Sequence, residues 1–332
     1  MATTNRDIGR APTDGDWRTR WHKFQRKYAP YIFVSPFFIL FAVFGLFPIL
    51  FSIYLSFQLW DPIQGLGTME FVGIENYIFL FTDPWFWQAL FNTFWIAIVS
   101  GLPQHLIAIP LAFVLVVVLP QLRGFFTGAY FLPYIASTVA VALIFATIYG
   151  LNSGILNAAL IYLANAPWSA WLFGGLKDTL PINWLGNAFY VKPAISVMVF
   201  WKFFGFNLVL YSAGLATVPR EYYEAAEVDG ANIWQRFYHI GLPLLRPVMF
   251  FAITLSIIGN LQLFEEPFIL TGGTGGPARS GLTVAMYLYR TGFNWSDMGT
   301  AAAMSWVLFF IIGIFSAIQF FFLGRRSLET RD

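Results

Sequence analysis

The chain has 332 residues, of which 58% are hydrophobic and only 11% charged, with a formal net charge of +2. Soluble globular chains carry about 25% charged residues, so this one cannot solvate the roughly two soluble domains its length would otherwise make. The same numbers exclude a disordered or collagen-like chain and give no general case for nucleic-acid binding. The absence of cysteine removes disulfides, thiol catalysis and cysteine-held metals, and three scattered histidines do not make a zinc site. What remains is an all-α integral membrane protein.

A membrane span needs about 20 mostly apolar residues. Residues 28–60 hold no Asp, Glu, Lys or Arg and predict a first span at about 31–57, after a basic segment at 1–30. That span is too long for a cleaved leader and no small-residue cleavage site follows it. Residues 84–122 are also free of those four types and predict a second span at about 90–119. The charge-free stretch 124–176 is too long for one crossing; we read a span at about 124–150 and then an external loop. Further spans are expected at about 190–217, 247–271 and 298–323, within a transmembrane domain of 31–323 that ends in a short tail, 324–332. Prolines inside the spans (Pro36, Pro48, Pro103, Pro110, Pro133) each remove a helix hydrogen bond and permit a kink.

Basic residues set the orientation. With the N-terminus in the cytoplasm, the inner segments hold seven Lys or Arg before residue 30, then Arg123, Arg220, Arg236, Arg246, Arg325, Arg326 and Arg331. The outer ones hold only Lys177, Arg279 and Arg290, while Lys192 and Lys202 lie at or inside the fourth span. This positive-inside bias predicts six spans with both termini cytoplasmic.

The most informative inner segment is the loop at 218–246, with the sequence TVPREYYEAAEVDGANIWQRFYHIGLPLLRP from Thr217 to Pro247. Thr217 is suited to cap a helix with Pro219 in its first turn. Glu221 and Glu224 lie near the positive end of that helix dipole. Gly230 is a suitable stop because it adopts the left-handed conformation. Asn232 is placed to cap a second short helix whose Ile233, Phe237 and Ile240 share a face, and which Gly241 and Pro243 are expected to end. Such a helix–glycine–helix element either rests amphipathically on the membrane face or docks a cytoplasmic protein. Its acidic first helix is a poor match to anionic lipid.

These residues resemble a known motif. Glu224-Ala225-Ala226, three residues, Gly230, nine residues, Ile240, one residue, then Leu242-Pro243 has the spacing of the EAA loop, the mark of membrane subunits of binding-protein-dependent ABC importers. A pattern spread over this length is far more specific than a lone glycine signature. The resemblance is to carbohydrate-type permeases of the maltose and glycerol-phosphate group. PYIFVSPFFILFAVFGLFPILFSIYLSF looks like a maltose-F-type first helix, and LFEEPFILTGGTGGPARSGLTVAMYLY resembles the fifth-span exit of lactose- and arabinose-type members. The chain lacks the maltose-F periplasmic insert, residues 58–89 being a short loop, and ends GRRSLETRD rather than in a maltose-G-type tail.

The resemblance implies a type I importer (MetI-like) permease fold with its core at about 90–320 and import of a sugar or related carbohydrate across a bacterial plasma (inner) membrane. The implied partners are a second, maltose-G-like permease subunit, two cytoplasmic ATPase subunits and an extracytoplasmic solute-binding protein, besides membrane lipid. Glu224, Ala225, Ala226, Gly230, Ile240, Leu242 and Pro243 would then couple the chain to the ATPase. No Gly-Lys-Ser or Gly-Lys-Thr phosphate loop is present, so ATP and Mg are expected on the partner, with no cofactor, metal or catalytic residue in this chain. TGGTGGP at 271–277 reads as a flexible exit from the fifth span.

Sugars bind through hydroxyl hydrogen bonds and aromatic faces. Tyr134 and Thr138 in the third span, Asn207 and Tyr211 in the fourth, and Ser256 and Asn260 in the fifth are each four apart, with Gln262 just beyond. Polar groups in a bilayer face the bundle interior, so these seven define an expected substrate path; the competing reading is helix-to-helix hydrogen bonding. Glu265 and Glu266 suit an outer gate or binding-protein contact, and His105 suits an interhelical hydrogen bond. A secondary, ion-coupled transporter is the alternative class. It would need coupling carboxylates within spans, for which only Glu265 and Glu266 qualify, near a helix end. A membrane enzyme would need clustered His, paired mid-membrane acids or a Ser/His set, and none is present.

Overall fold

The computed structural model describes residues 15–321. Arg6, Arg10, Arg325, Arg326, Arg331 and the 324–332 tail lie outside the described residues. The chain divides into two compact units, 1–55 and 56–332.

The first unit is one helical stretch: α1 (Gly15–Phe41), a π-type turn (Ala42–Leu46) and α2 (Phe47–Leu55). The helix thus starts well before the apolar run. Its first turns carry Arg20, Lys23, Arg26 and Lys27 beside Trp21, Phe24 and Tyr28, where Trp21 stacks on Phe24 and Phe24 meets Tyr28 at a tilt. Phe33, Phe37 and Phe44 point outward, as lipid-facing side chains do.

The second unit opens on a small antiparallel sheet of β1 (Gln58–Leu59) and β2 (Glu70–Phe71). Then come α3 (Glu75–Thr82) and the long α4 (Pro84–Phe113), extended by a π turn at Val114–Val118. Asp83 caps α4, its carboxylate accepting from the Trp85 N–H, with Pro84 at the first helical position. α5 (Arg123–Ile135) and α6 (Thr138–Ile148) follow, and then α7 (Ile155–Asn165) and α8 (Ala170–Phe173) in the long loop. Asn157 staples that loop: its amide donates to the carbonyls of Gly150, Leu151 and Ile182 and accepts from Ile182 N–H and Trp184 Nε1. α9 (Ala188–Leu215) is capped by Asn187. α10 (Arg220–Val228), α11 (Ile233–Arg236), α12 (Leu242–Leu261), α13 (Glu265–Leu270), α14 (Val284–Tyr289) and α15 (Met298–Gln319) complete the order.

Five helical stretches are long and apolar enough to span a membrane: Arg20–Leu55, Pro84–Val118, Ala188–Leu215, Ile233–Leu270 and Met298–Gln319. A sixth is present if Pro120–Ile135 and Thr138–Ile148 count as one span, and these two meet at 95°. The single helix expected at 124–150 is therefore broken at Ala136–Ser137, both outside helical backbone. α9 is the most buried of these five stretches and Arg20–Leu55 the least.

Pro36, Pro103, Pro110 and Pro133 lie inside α-helices, whereas three other prolines follow a widened turn. Three π turns each end two residues before a proline: Ala42–Leu46 before Pro48, Val114–Val118 before Pro120, and Phe237–Gly241 before Pro243. A proline ring clashes with the carbonyl four residues back. Widening the preceding turn to i→i+5 bonding moves that carbonyl away; Leu119 N–H accordingly bonds Val114 O at 2.8 Å.

The 271–282 segment is tied down rather than loose. Gly273 N–H bonds Phe268 O and Gly281 N–H bonds Gly275 O, both at 2.7 Å. From α4, Gln88 Nε2 donates to Ala278 O, and Asn92 Nδ2 donates to the carbonyls of Arg279 and Leu282. The Arg279 guanidinium lies 4.0 Å above the Trp85 ring. Four glycines here hold positive φ, and so do Ala278 and Arg279, a strained conformation for side-chain-bearing residues that only such pinning sustains. Nearby, Tyr287 donates its hydroxyl to Asp83. Burial first, and then that bond, raise the Tyr287 phenol above its ordinary range.

Candidate functional site

Two features concern function, and both lie in the second unit. The first is the α10–Gly230–α11 element. Its helix starts at Arg220, so Pro219 occupies the cap position and Thr217 instead donates to Gly214 O; the expected Thr217 cap is not formed. Gly230 has φ +84 and makes the turn. Asn232 caps α11 in a reciprocal box, accepting from Gln235 N–H while the Gln235 side chain accepts from Asn232 N–H. The second helix does not stop at Gly241 and Pro243. Through the π turn it runs straight into α12, giving unbroken helix over 233–261.

The element is anchored at two points. Tyr223 is the buried residue of α10, its ring 5.9 Å from Phe113 of α4, and Phe237 sits 5.1 Å from that same ring. Burial raises the Tyr223 phenol. Gly241 is required here, because a Cβ would stand 2.9 Å from the Phe113 ring. Ile240 and Leu242 pack on the same cluster, and Pro243 is half-buried. The other face is free: Glu224, Ala225 and Gly230 are exposed, Ala226 is half-buried, and the Glu224 side chain is 67% exposed. Val228 and Trp234 stand beside them, 89% and 62% exposed. The motif residues thus split into an anchoring set and a presented set.

The second feature is a cavity of about 240 Å³ among four spans. It is lined by Gln104 of α4, Tyr134 of α5, Phe203, Phe206 and Asn207 of α9, and Leu255, Ser256, Gly259 and Asn260 of α12. Asn207 Nδ2 donates to Gln104 Oε1 at 3.0 Å, and its own Oδ1 has no partner among the described residues. Tyr134 stacks on Phe206 with ring centroids 4.7 Å apart. Amide groups beside flat aromatic faces are the chemistry that receives a polyhydroxylated solute.

Four of the seven expected path residues, Tyr134, Asn207, Ser256 and Asn260, meet in this cavity. Three lie elsewhere. Tyr211 is fully buried and bonds His105 Nδ1 at 2.7 Å, a helix-to-helix tie. Gln262 is exposed at the C-terminal cap of α12. Thr138 accepts from Lys202 Nζ at 2.6 Å, and Lys202 in turn pairs with Glu266 at 2.7 Å.

Glu266 was expected at an outer gate or binding-protein contact, but its pairing with Lys202 was not expected, and neither was Gln104. The signal for the pair was available: a lysine inside one span and an acid near the end of another are driven to find each other in hydrocarbon. Its side chains are only 7% and 6% exposed, and removing one partner from a pair so buried costs about 3–5 kcal/mol. Gln104 announced itself less, though it lies four residues after Ser100 on the buried face of α4.

A largely helical, multi-span chain with a pocket between spans that carries polar side chains, and a presented helix pair joined to one of those spans, is built as a transport subunit. Comparison with known proteins gives its family. Residues 77–327 match the model of the binding-protein-dependent transport system inner membrane component, and the chain belongs to that family. It is a permease subunit of a binding-protein-dependent ABC importer and a multi-pass protein of the inner membrane.

It is 36% identical to the arabinooligosaccharides transport system permease protein AraP of Bacillus subtilis, over 93% of this chain and 92% of that one. It is 37% identical to the lactose transport system permease protein LacF of Rhizobium radiobacter, over 90% and 94%. The same fold occurs in the crystal structure of a bacterial alginate ABC transporter in complex with its alginate-pentasaccharide-bound periplasmic protein. The TM-score is 0.74 at 21% identity, covering 92% of this chain and 98% of that one.

Proposed function

We propose that this subunit forms half of the translocation path of an ATP-driven importer for a carbohydrate, with both chain ends and the α10–α11 element on the cytoplasmic side. The carrying observation is mechanical. The presented element is continuous with α12, and α12 carries Ser256 and Asn260 into the cavity. Its anchors Tyr223 and Phe237 meet Phe113 of α4, the helix that carries Gln104 into the same cavity. Movement imposed on α10–α11 therefore reaches two walls of the cavity through helix and packed rings.

In this reading a separate ATPase engages Glu224, Ala225, Ala226 and Gly230, while Ile240, Leu242 and Pro243 hold the element to the bundle. ATP and Mg belong to that partner. Two ATPase subunits, a second permease subunit and an external solute-binding protein complete the assembly. Tyr134, Asn207, Ser256 and Asn260 contact the solute in transit, joined by Gln104. The carbohydrate class rests on the cavity chemistry and on relatives whose names specify arabino-oligosaccharides and lactose.

The test is uptake by vesicles containing both permeases and the ATPase, supplied with the binding protein and a labelled oligosaccharide panel. Uptake should require ATP, and Glu224→Lys should insert normally yet abolish it. Equal uptake by mutant and wild type at equal expression, or uptake driven by an ion gradient without ATP, would overturn the proposal.

A further inference from the structure

Lys202, Glu266 and Thr138 sit where two spans are broken. Thr138 is the first residue of α6, just past the Ala136–Ser137 break, and Glu266 is in the first turn of α13, just past the break after Leu261. Lys202 comes from the unbroken α9 and reaches both, at 2.6 and 2.7 Å. Its ammonium also lies 5.0 Å from the centroid of the Phe203 ring, which lines the cavity.

Chain direction fixes which side of the cavity this is. α12 leaves the α10–α11 element and passes Ser256 and Asn260 before Glu266. α9 runs the opposite way, so Lys202 precedes Phe203 and Asn207. α5 begins at Arg123, in a groove it shares with Arg220 and Glu224, and passes Tyr134 before Thr138. On each chain segment the bonded residue lies on the far side of cavity-lining residues from α10–α11: Lys202 just before Phe203, Thr138 four residues past Tyr134, and Glu266 six past Asn260. The two bonds from Lys202 therefore converge over one end of it.

We propose that Lys202–Glu266, braced by Thr138, is a latch that closes the outer end of the cavity by pinning the two broken spans to α9, and that it parts when the path opens to the outside. This rests on the transport reading and its sidedness. Packed apolar side chains would hold the helices as well as a buried pair does. What an ion pair adds is a contact that is strong while dry and replaceable by water once the mouth is hydrated. Glu265, the neighbouring acid, is exposed and outside this contact.

The chain has no cysteine, so Ser256→Cys is the single thiol of this subunit, and labelling is read on its band against the assembly without the substitution. In vesicles bearing the full assembly, without binding protein or ATP, a membrane-impermeant thiol reagent is added from the outside. The reporter should label slowly in the otherwise native chain. Glu266→Gln should label about tenfold faster or more, since a broken buried pair shifts a two-state closure by at least that factor. The swapped pair Lys202→Glu with Glu266→Lys should return to slow labelling. If Glu266→Gln does not insert, Thr138→Val removes the brace without stranding a charge and should also speed labelling. Unchanged labelling in the inserted single variant, or a swapped pair as fast as that variant, overturns the latch. Labelling needs no uptake, so a latch that behaves as stated in a protein that imports nothing would refute the transport reading alone.

Discussion

Gly205 marks the closest approach between α5 and α9. A Cβ there would overlap the Tyr130 carbonyl and stand 2.8 Å from the Phe131 nitrogen. Ordinary contact is about 3.5 Å, so clearing that nitrogen alone needs roughly 0.7 Å of movement, and the carbonyl demands more. The obstacle is backbone, and the Tyr130 ring is already packed 5.3 Å from Phe204, so no side chain is free to yield. Overpacking of this kind costs about 3 kcal/mol, the upper part of its usual range. Alanine recovers about 0.8 kcal/mol of helix propensity. Gly205→Ala should therefore destabilise by about 2 kcal/mol. Gly128→Ala, on the same α5 with nothing near its Cβ, should stabilise by about 0.8 kcal/mol. Between them falls Gly101→Ala, whose Cβ meets only the Asn260 amide, 2.8 Å away. It should melt near wild type but raise KM for uptake by displacing a cavity side chain. The assay is the fraction of assembly surviving heating in detergent, read by size exclusion, beside uptake at several solute concentrations. Equal melting of Gly205→Ala and Gly128→Ala would refute the packing argument.

Further outcomes follow from the same geometry. Gly230→Ala places a side chain at φ +84 with nothing crowding it; the strain of about 1 kcal/mol should lower uptake per ATP hydrolysed while leaving the melting of the bundle unchanged. Asn92→Ala strips two carbonyls of their donor and should expose the chain after Arg279 to trypsin, seen as a new fragment on limited digestion. Tyr287→Phe deletes the bond to Asp83 and should cost about 1.5–3 kcal/mol near neutral pH. Because the folded-state phenol is raised, its contribution is intact below the ordinary value of 10.0 and fades as pH climbs toward the folded value. Wild type should thus lose stability with rising alkaline pH more steeply than the variant, as read in melting curves across that range.

Much of the helical content was legible because span formation in a bilayer is decided by local composition. The charge-free run ending at residue 122 contains the long helix Pro84–Val118, and the run ending at residue 60 holds most of the stretch Arg20–Leu55. Gly230 and Asn232 were legible for the same reason, since a left-handed turn and a helix cap are local chemistry. The break at Ala136–Ser137 was not. Neither residue is a strong breaker; the structure around the break is set by distant groups, Lys202 bonding Thr138 and Gly205 admitting the Tyr130 backbone. Likewise Gly241–Pro243 reads locally as a helix end, and only the π turn before Pro243 lets the helix continue.

The cavity shows the same division with a functional edge. Spacing four apart put Ser256 and Asn260 on one face, and both reach the pocket. It paired Asn207 with Tyr211 equally well, but Tyr211 lies one turn further toward α10–α11, where it shares a hydrogen bond with His105 of α4. Periodicity names a face of a helix; the neighbouring helix decides which depth of that face is hollow. Here the hollow depth lies between two polar ties on α9, Tyr211–His105 on one side and Lys202–Glu266 on the other. In the proposed path a solute must pass both levels. On the proposed sidedness the tie nearer the outside is the charged one, the kind water can replace. The inner one is a hydrogen bond on the helices that α10–α11 grips through Tyr223 and Phe237. The two ends of the pocket are thus held by different chemistry, which in the transport reading answers to hydration at one end and to force from α10–α11 at the other.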